Sequence, residues 1–373
     1  MKKRNPGFEL LRIIAMFMIL FLHYNQHTGA LLKVGENYSA VKIFANIIES
    51  FCIAGINTYV LISGFFLSKG RPRITRLLNL LLQVYFYTLV ISVAMMAVGS
   101  YALREGNFVY KLSQYIFPIS TEHYWFVTAY VIMYVLSPVM NAAAEHLTRR
   151  QLKAVIIGLL VWFSFIKSFV PLLFPTDRFG YDYGWFICLY LIAAYIRRYD
   201  VALFGSAQKS AVVYLASCCC IAAMSISLYF VNLRWGGFVH YQTVPFGYNF
   251  FFTLTASLGL FSFFRNFRMK EGKFADAVRF IGPLTFGVYL LHMHVEIRDR
   301  WVDWISALFG KAPMDNILLF SWHAVRTVVI VFAAGIFVDW VRKLIFDYLS
   351  RAIRNTWISK KLFRLDEEIW KQT

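Results

Sequence analysis

Residues 1–26, MKKRNPGFELLRIIAMFMILFLHYNQ, open on the basic cluster Lys2-Lys3-Arg4. From Phe8 to Leu22 the chain is then apolar except for Glu9 and Arg12. A secretory signal would have a shorter apolar run closed by a small-x-small cleavage site, and neither is present here. About 20 apolar residues suffice to cross a bilayer as a helix. The stretch therefore reads as a retained first membrane span with its basic end on the cytoplasmic side.

Nine further windows follow, at roughly 44–68, 75–99, 123–141, 153–173, 184–197, 210–231, 248–265, 277–297 and 319–341. The sixth of the ten, 184–197, is short. Composition agrees, with 59% hydrophobic and only 16% charged residues, and 37 Phe, 22 Tyr and 10 Trp in 373 positions. A soluble fold of this size has too few polar side chains to cover its surface, and a disordered chain would be far less apolar. The runs are too long and too uniformly apolar for barrel strands. The expected fold is an all-α polytopic membrane protein of about ten transmembrane helices. Residues 1–341 form the membrane domain and 342–373 an amphipathic cytoplasmic tail, with aromatic and aliphatic residues interleaved with Lys and Arg. The five cysteines, at 52, 188 and 218–220, form no CxxC pair.

The net charge of +18 is a topology signal. With the N-terminus placed in the cytoplasm, the inner segments take 27 of the 38 Lys and Arg but only half of the 20 acidic residues. The outer side is left nearly neutral, which is the positive-inside pattern. Both termini then face the cytoplasm, and nucleic acid is not needed to explain the charge.

Ionisable groups within spans are costly and mark functional positions. Arg12 lies near the inner end of the first span and His23 near the outer end, about 16 Å apart along a helix axis. His27 follows one turn later. Glu122 and His123 open the fourth span, and His292, His294 and Glu296 close the ninth. Glu49, Asn57, Lys167 and Arg326 interrupt others. Three polar groupings thus fall at the outer ends of three helices, which makes His23, His292, Glu122 and His123 the candidate catalytic residues. Histidine titrates near neutrality and can take a proton from an attacking hydroxyl. Tyr24, Tyr289 and His292 are candidate hydrogen-bond donors to a developing oxyanion. There is no HExxH and no cysteine beside these histidines, so no metal is expected. A basic inner face with an arginine inside the membrane suits a phosphorylated donor.

Four stretches resemble the membrane acyltransferase-3 family, the group of bacterial O-antigen and exopolysaccharide O-acetyltransferases. They are FELLRIIAMFMILFLHYNQ with Arg12, ten residues and His23; INTYVLISGFFLS with Ser63-Gly64-Phe65; EHYWFVTAYVIMYVLSP with Trp125-Phe126; and FGVYLLHM with Tyr289-Leu290 and His292. The resemblance spans about 6–341. It implies an acyl-CoA donor, most often acetyl-CoA, and a hydroxyl of a cell-surface or lipid-linked glycan as acceptor. It also implies His23 as general base and a multi-pass bacterial inner-membrane setting. Arg12 would meet the donor, with Ser63, Gly64, Phe65 and the inner-face Arg73 and Arg76 around it. Acceptor contacts would come from the outer loops 100–122 and 298–318, where Trp301, Asp303 and Trp304 stand either as sugar contacts or as an interfacial belt. An exporter or flippase of a lipid-linked glycan, a succinyl donor, a non-glycan acceptor and a homo-oligomer stay open.

Overall fold

The computed structural model describes residues 4–99, 108–353 and 356–369. Lys2, Lys3, Arg354 and Lys371, counted above on the inner side, and residues 100–107 of the first long outer loop lie outside the described residues. Helix α1 (Pro6–Thr28) is well delimited. The Asn5 side chain accepts the Gly7 N–H at 2.9 Å, Pro6 occupies the first turn, and Gly29 ends the helix in the left-handed conformation at φ 65°. Helices α2 (Ala40–Cys52) and α3 (Gly55–Leu67) together form one membrane-length stretch. They are followed by α4 (Ile74–Ala97), α5 (Phe108–Ile116), α6 (Trp125–His146) and α7 (Arg149–Leu160). A π-helical turn (Val161–Phe165) leads from α7 into α8 (Ile166–Phe169). Then come α9 (Tyr183–Arg198), α10 (Ala207–Trp235), α11 (Phe251–Asn266), α12 (Lys273–Ile281), α13 (Thr285–His292), α14 (Trp301–Phe309), α15 (Ile317–Ile353) and α16 (Trp357–Glu368).

Among the described residues nine helical stretches are long and apolar enough to cross a membrane. This corrects the expectation of ten. The segment expected at 184–197 is α9, which has only 16 residues and is buried on nearly every side against α3 and α6. Its apolar character reflects burial within protein as much as any contact with lipid. The outer loops are also less plain than expected, since 108–116 and 301–309 are helical. The segment after 341 divides in two. Helix α15 continues unbroken to Ile353, and α16 packs back onto α4, where the Asp366 carboxylate accepts the Ile74 N–H (2.6 Å) and the Thr75 hydroxyl.

The central helix is α1, which touches α2, α3, α11, α12, α13 and α15. Both ends of the Arg12–His23 spacing therefore lie in the interior of the bundle. Two charges that looked isolated in the sequence have partners. Lys167 pairs with Asp177 at 3.0 Å, and Arg326 donates to the Phe309 carbonyl while lying 4.5 Å from the centre of that ring. The buried carboxylate of Asp339 is held by Arg342 Nε and Nη2 at 2.8 Å and by Tyr87 and Gln83. Such pairing is what burial of a charge requires.

Candidate active site

At the Arg12 end of α1 the helices enclose a cavity of about 340 Å³ walled by Arg4, Arg12, Tyr59, Ser63, Tyr130 and Thr285, among others. Arg12 Nη1 donates to Glu9 at 2.5 Å, and Arg4 reaches the same carboxylate oxygen at 3.4 Å. Two guanidiniums thus share one buried carboxylate, and the cavity mouth keeps an excess of positive charge suited to an anionic ligand. Glu9 is pressed against Gly282, where an added Cβ would stand only 2.5 Å from its Oε2. The carboxylate is thereby fixed, and it in turn fixes Arg12. Tyr59 ties this end together, its hydroxyl lying 2.7 Å from the Arg12 carbonyl oxygen and 2.9 Å from Thr285 Oγ1.

Tyr59, Phe126 and Phe286 also bound a second, much smaller space of about 10 Å³, completed by Met16, Ile19, Ile56 and Tyr289. It is an apolar constriction about the size of one water. It leads along α1 from the Arg12 cavity toward Tyr289, which lies one turn before His292 on α13.

Beyond it the His23 and His292 rings lie with centroids 5.3 Å apart. His292 Nδ1 donates to the Val288 carbonyl at 2.7 Å, which commits the proton to that nitrogen and leaves a lone pair on Nε2. That Nε2, the Tyr289 hydroxyl and Trp301 Nε1 are all buried without a hydrogen-bond partner among the described residues. Their rings adjoin, with Tyr289 and Trp301 centred 6.0 and 6.3 Å from His292. A buried polar atom left unsatisfied costs about 1–3 kcal/mol. Three such atoms around one imidazole mark a place shaped for polar atoms of a ligand.

A second histidine group lies close by. His123 and His294 are buried with ring centres 4.6 Å apart. His123 Nδ1 donates to the Gln114 carbonyl at 3.0 Å, and its Nε2 accepts the Val295 N–H at 3.5 Å. His294 Nε2 donates to the Thr88 carbonyl at 3.2 Å, and its Nδ1 accepts the Glu296 N–H at 3.1 Å. Tyr115 donates to the Glu296 carboxylate. Burial holds the His123 ring down to about 4, against the opposing pull of the Gln114 carbonyl. Burial, with His123 beside it, holds His294 to about 3. Both rings are therefore neutral at ordinary pH. Among the described residues no three His, Cys, Asp or Glu side chains gather as a metal site.

The sequence-derived residues thus separate by position. His23 and His292 come together, and Arg12 and Ser63 line the cavity at the other end of the track. Arg76 is exposed near that cavity, where it and Arg12 both lie within electrostatic reach of Tyr130. Arg73 lies apart, as the residue before α4, with its backbone bonded to the Tyr134 hydroxyl. Gly64 packs α3 onto α9, since an added Cβ would come within 3.0 Å of the Tyr190 Cα. Phe65 lies under the Arg197 guanidinium at 4.2 Å. Neither lines the cavity. Glu122 is half exposed and faces Arg178 at 3.7 Å, away from the histidine pair. Tyr24 is bonded to His323 at 2.8 Å. Trp125 stacks on Tyr248, while Phe126 walls the constriction. Sequence reasoning missed Glu9 as the partner of Arg12, although its i, i+3 spacing on a helix signals the pair. It also missed Tyr59 and Tyr130, because tyrosines within an aromatic-rich membrane chain carry no distinguishing pattern.

The family model for the acyltransferase domain of the acyltransferase-3 family matches residues 5–341. No curated protein and no solved structure gives a significant match to the chain. The chain belongs to the acyltransferase-3 family of polytopic membrane proteins.

Proposed function

We propose that this member of the family transfers an acyl group, most simply acetyl, from acyl-CoA to a hydroxyl of a cell-surface or lipid-linked glycan at a bacterial cytoplasmic membrane. The basic N-terminus lies in the cytoplasm, on the same side as the arginine-lined cavity. The observation that carries the reading is the track along α1. It runs from the arginine-lined cavity through the apolar constriction to His23 and His292. The nucleotide of the donor sits at Arg12 and Arg4, with Arg76 nearby, and its arm threads past Tyr59 and Phe286. This threading requires the aromatic walls of the constriction to part.

In the transfer step His23 takes the proton of the acceptor hydroxyl as that oxygen bonds to the thioester carbon. His292 Nε2, an acceptor only, holds the ring that now carries the proton. The Tyr289 hydroxyl, which has no hydrogen-bond partner among the described residues, donates to the oxyanion. The carbon–sulfur bond then breaks, and the proton on His23 passes to the departing thiolate. His123, Glu122, Gly64 and Phe65 support the framework in this scheme.

Purified protein in nanodiscs tests the reading directly. Acetyl-CoA is expected to bind, and Arg12→Ala to weaken that binding by about tenfold or more, the loss of one charge-assisted contact. Mass spectrometry of surface glycans from cells with and without the protein should show acetyl groups only in its presence. A glycan changed in amount but not in mass would overturn acyl transfer in favour of export.

A further inference from the structure

The end of α1 beyond the histidine pair borders a second cavity that the acyl-transfer reading leaves without a role. It has a volume of about 470 Å³ and lies between α1 and α14. Its polar walls are His27, Thr28, Asp303, Ser306 and Lys311. The size falls within the range of small-molecule pockets, about 300–1,000 Å³. Trp301 stands beside both His27 of this cavity and His292 of the reacting pair. Its ring centre is 6.3 Å from that of His292 and 6.1 Å from that of His27. Trp301 is 3% exposed, and its indole N–H has no partner among the described residues.

We propose that this cavity is the acceptor subsite and that it takes an uncharged, hydroxyl-rich ring, a pyranose. The assignment rests on the acyl-transfer reading and deepens it. The wall chemistry selects the ligand. Asp303 and Lys311 give the walls one charge of each sign, and nearby Asp299 is paired with Arg298 at 3.4 Å, so the cavity favours neither an anion nor a cation. One carboxylate, one ammonium and a hydroxyl spaced around a cavity are suited to the mixed donor and acceptor demand of sugar hydroxyls. His27 lines the cavity one helical turn from His23, so the inward hydroxyl of the ring is presented along α1 to that base. Thr28 offers the ring no donor, because its own hydroxyl donates to the Tyr24 carbonyl at 2.8 Å.

The test uses the full chain in nanodiscs with acetyl-CoA and a panel of 4-nitrophenyl pyranosides. Asp303 and Lys311 are exposed, so Asp303→Asn and Lys311→Gln are expected to fold normally. Each should raise the KM for the pyranoside about tenfold, as for one lost hydrogen bond, with kcat kept within about threefold and acetyl-CoA affinity unchanged. Ser306→Trp fills the cavity and should stop transfer while leaving acetyl-CoA binding intact. An unmoved acceptor KM in both polar variants, with full transfer by Ser306→Trp, would overturn the subsite. If the unaltered protein binds acetyl-CoA yet acetylates no pyranoside, the glycan reading itself is overturned, and this assignment with it.

Discussion

Two pairs of imidazoles lie at the same end of the bundle, and they differ in what their nitrogens do. In the His123–His294 pair every ring nitrogen meets a backbone group. In the His23–His292 pair one nitrogen of His292 is held by Val288, its other nitrogen has no partner, and His23 has no side-chain hydrogen bond among the described residues. All four residues stand near helix ends in an apolar chain, so their sequence settings look alike. The hydrogen-bond pattern separates them. A histidine whose nitrogens are both occupied holds loops in place, whereas one with a free lone pair in a dry site is available to move a proton.

The largest effect that would test this contrast comes from the open pair. His23→Ala and His292→Ala should each lower acyl transfer by about 10²–10⁴-fold, the usual worth of general acid–base catalysis, with acetyl-CoA affinity unchanged. Calorimetric binding beside a transfer assay checks both halves, and transfer surviving in either variant would break the comparison. Next in size, Ile56→Trp should close the constriction, so that the donor still binds at Arg12 but transfer drops by at least about tenfold, since a reacting carbon kept from His23 loses its orientation. The satisfied pair should respond in stability instead. His123→Ala strips partners from the Gln114 carbonyl and the Val295 N–H, at about 1–3 kcal/mol for each buried group left unmet. Its thermal midpoint in detergent should fall while kcat stays within a few-fold.

The smallest effect is a pH dependence. The folded-state values of about 4 for His123 and about 3 for His294 lie below the ordinary histidine value near 6.5. Between those limits the unfolded chain binds more protons than the folded one, so stability rises with pH. The contribution is complete above about pH 6.5 and diminishes as the pH falls toward 4. Thermal midpoints at pH 7 and pH 5 should differ in this sense, and His294→Asn should flatten the difference.

Much of the architecture was legible because lipid imposes a simple rule on composition. Runs of apolar residues near 20 long must be helices, and α1, α4, α6, α10 and α15 all stand where their hydropathy places them. The rule fails where apolar residues are buried in protein instead. Helix α9 carries the same kind of sequence as a span but is 16 residues long and enclosed by α3 and α6. The Arg12–His23 spacing was legible because both lie on one helix. The meeting of His23 with His292 was not, since it depends on which helices are neighbours, and 268 intervening residues carry no local record of that. Glu122 and His123 are adjacent in sequence yet face different surroundings. The positive φ of Glu122, 51°, turns the chain between them so that one reaches Arg178 and the other the interior. The outer cavity was half legible, because Trp301 and Asp303 stood out in their loop, but only the helical turn of α14 brings them toward His27.

The contact of Asp366 with the first turn of α4 bears on how the molecule is made. The partners are almost three hundred positions apart, and the carboxylate satisfies amides that open the third long helix. Synthesis runs from the N-terminus, and loop closure over such a separation comes late in assembly. The start of α4 therefore enters the membrane without this cap and remains so until Asp366 has left the ribosome, so the seating of α16 follows the synthesis of every helix from α4 to α15.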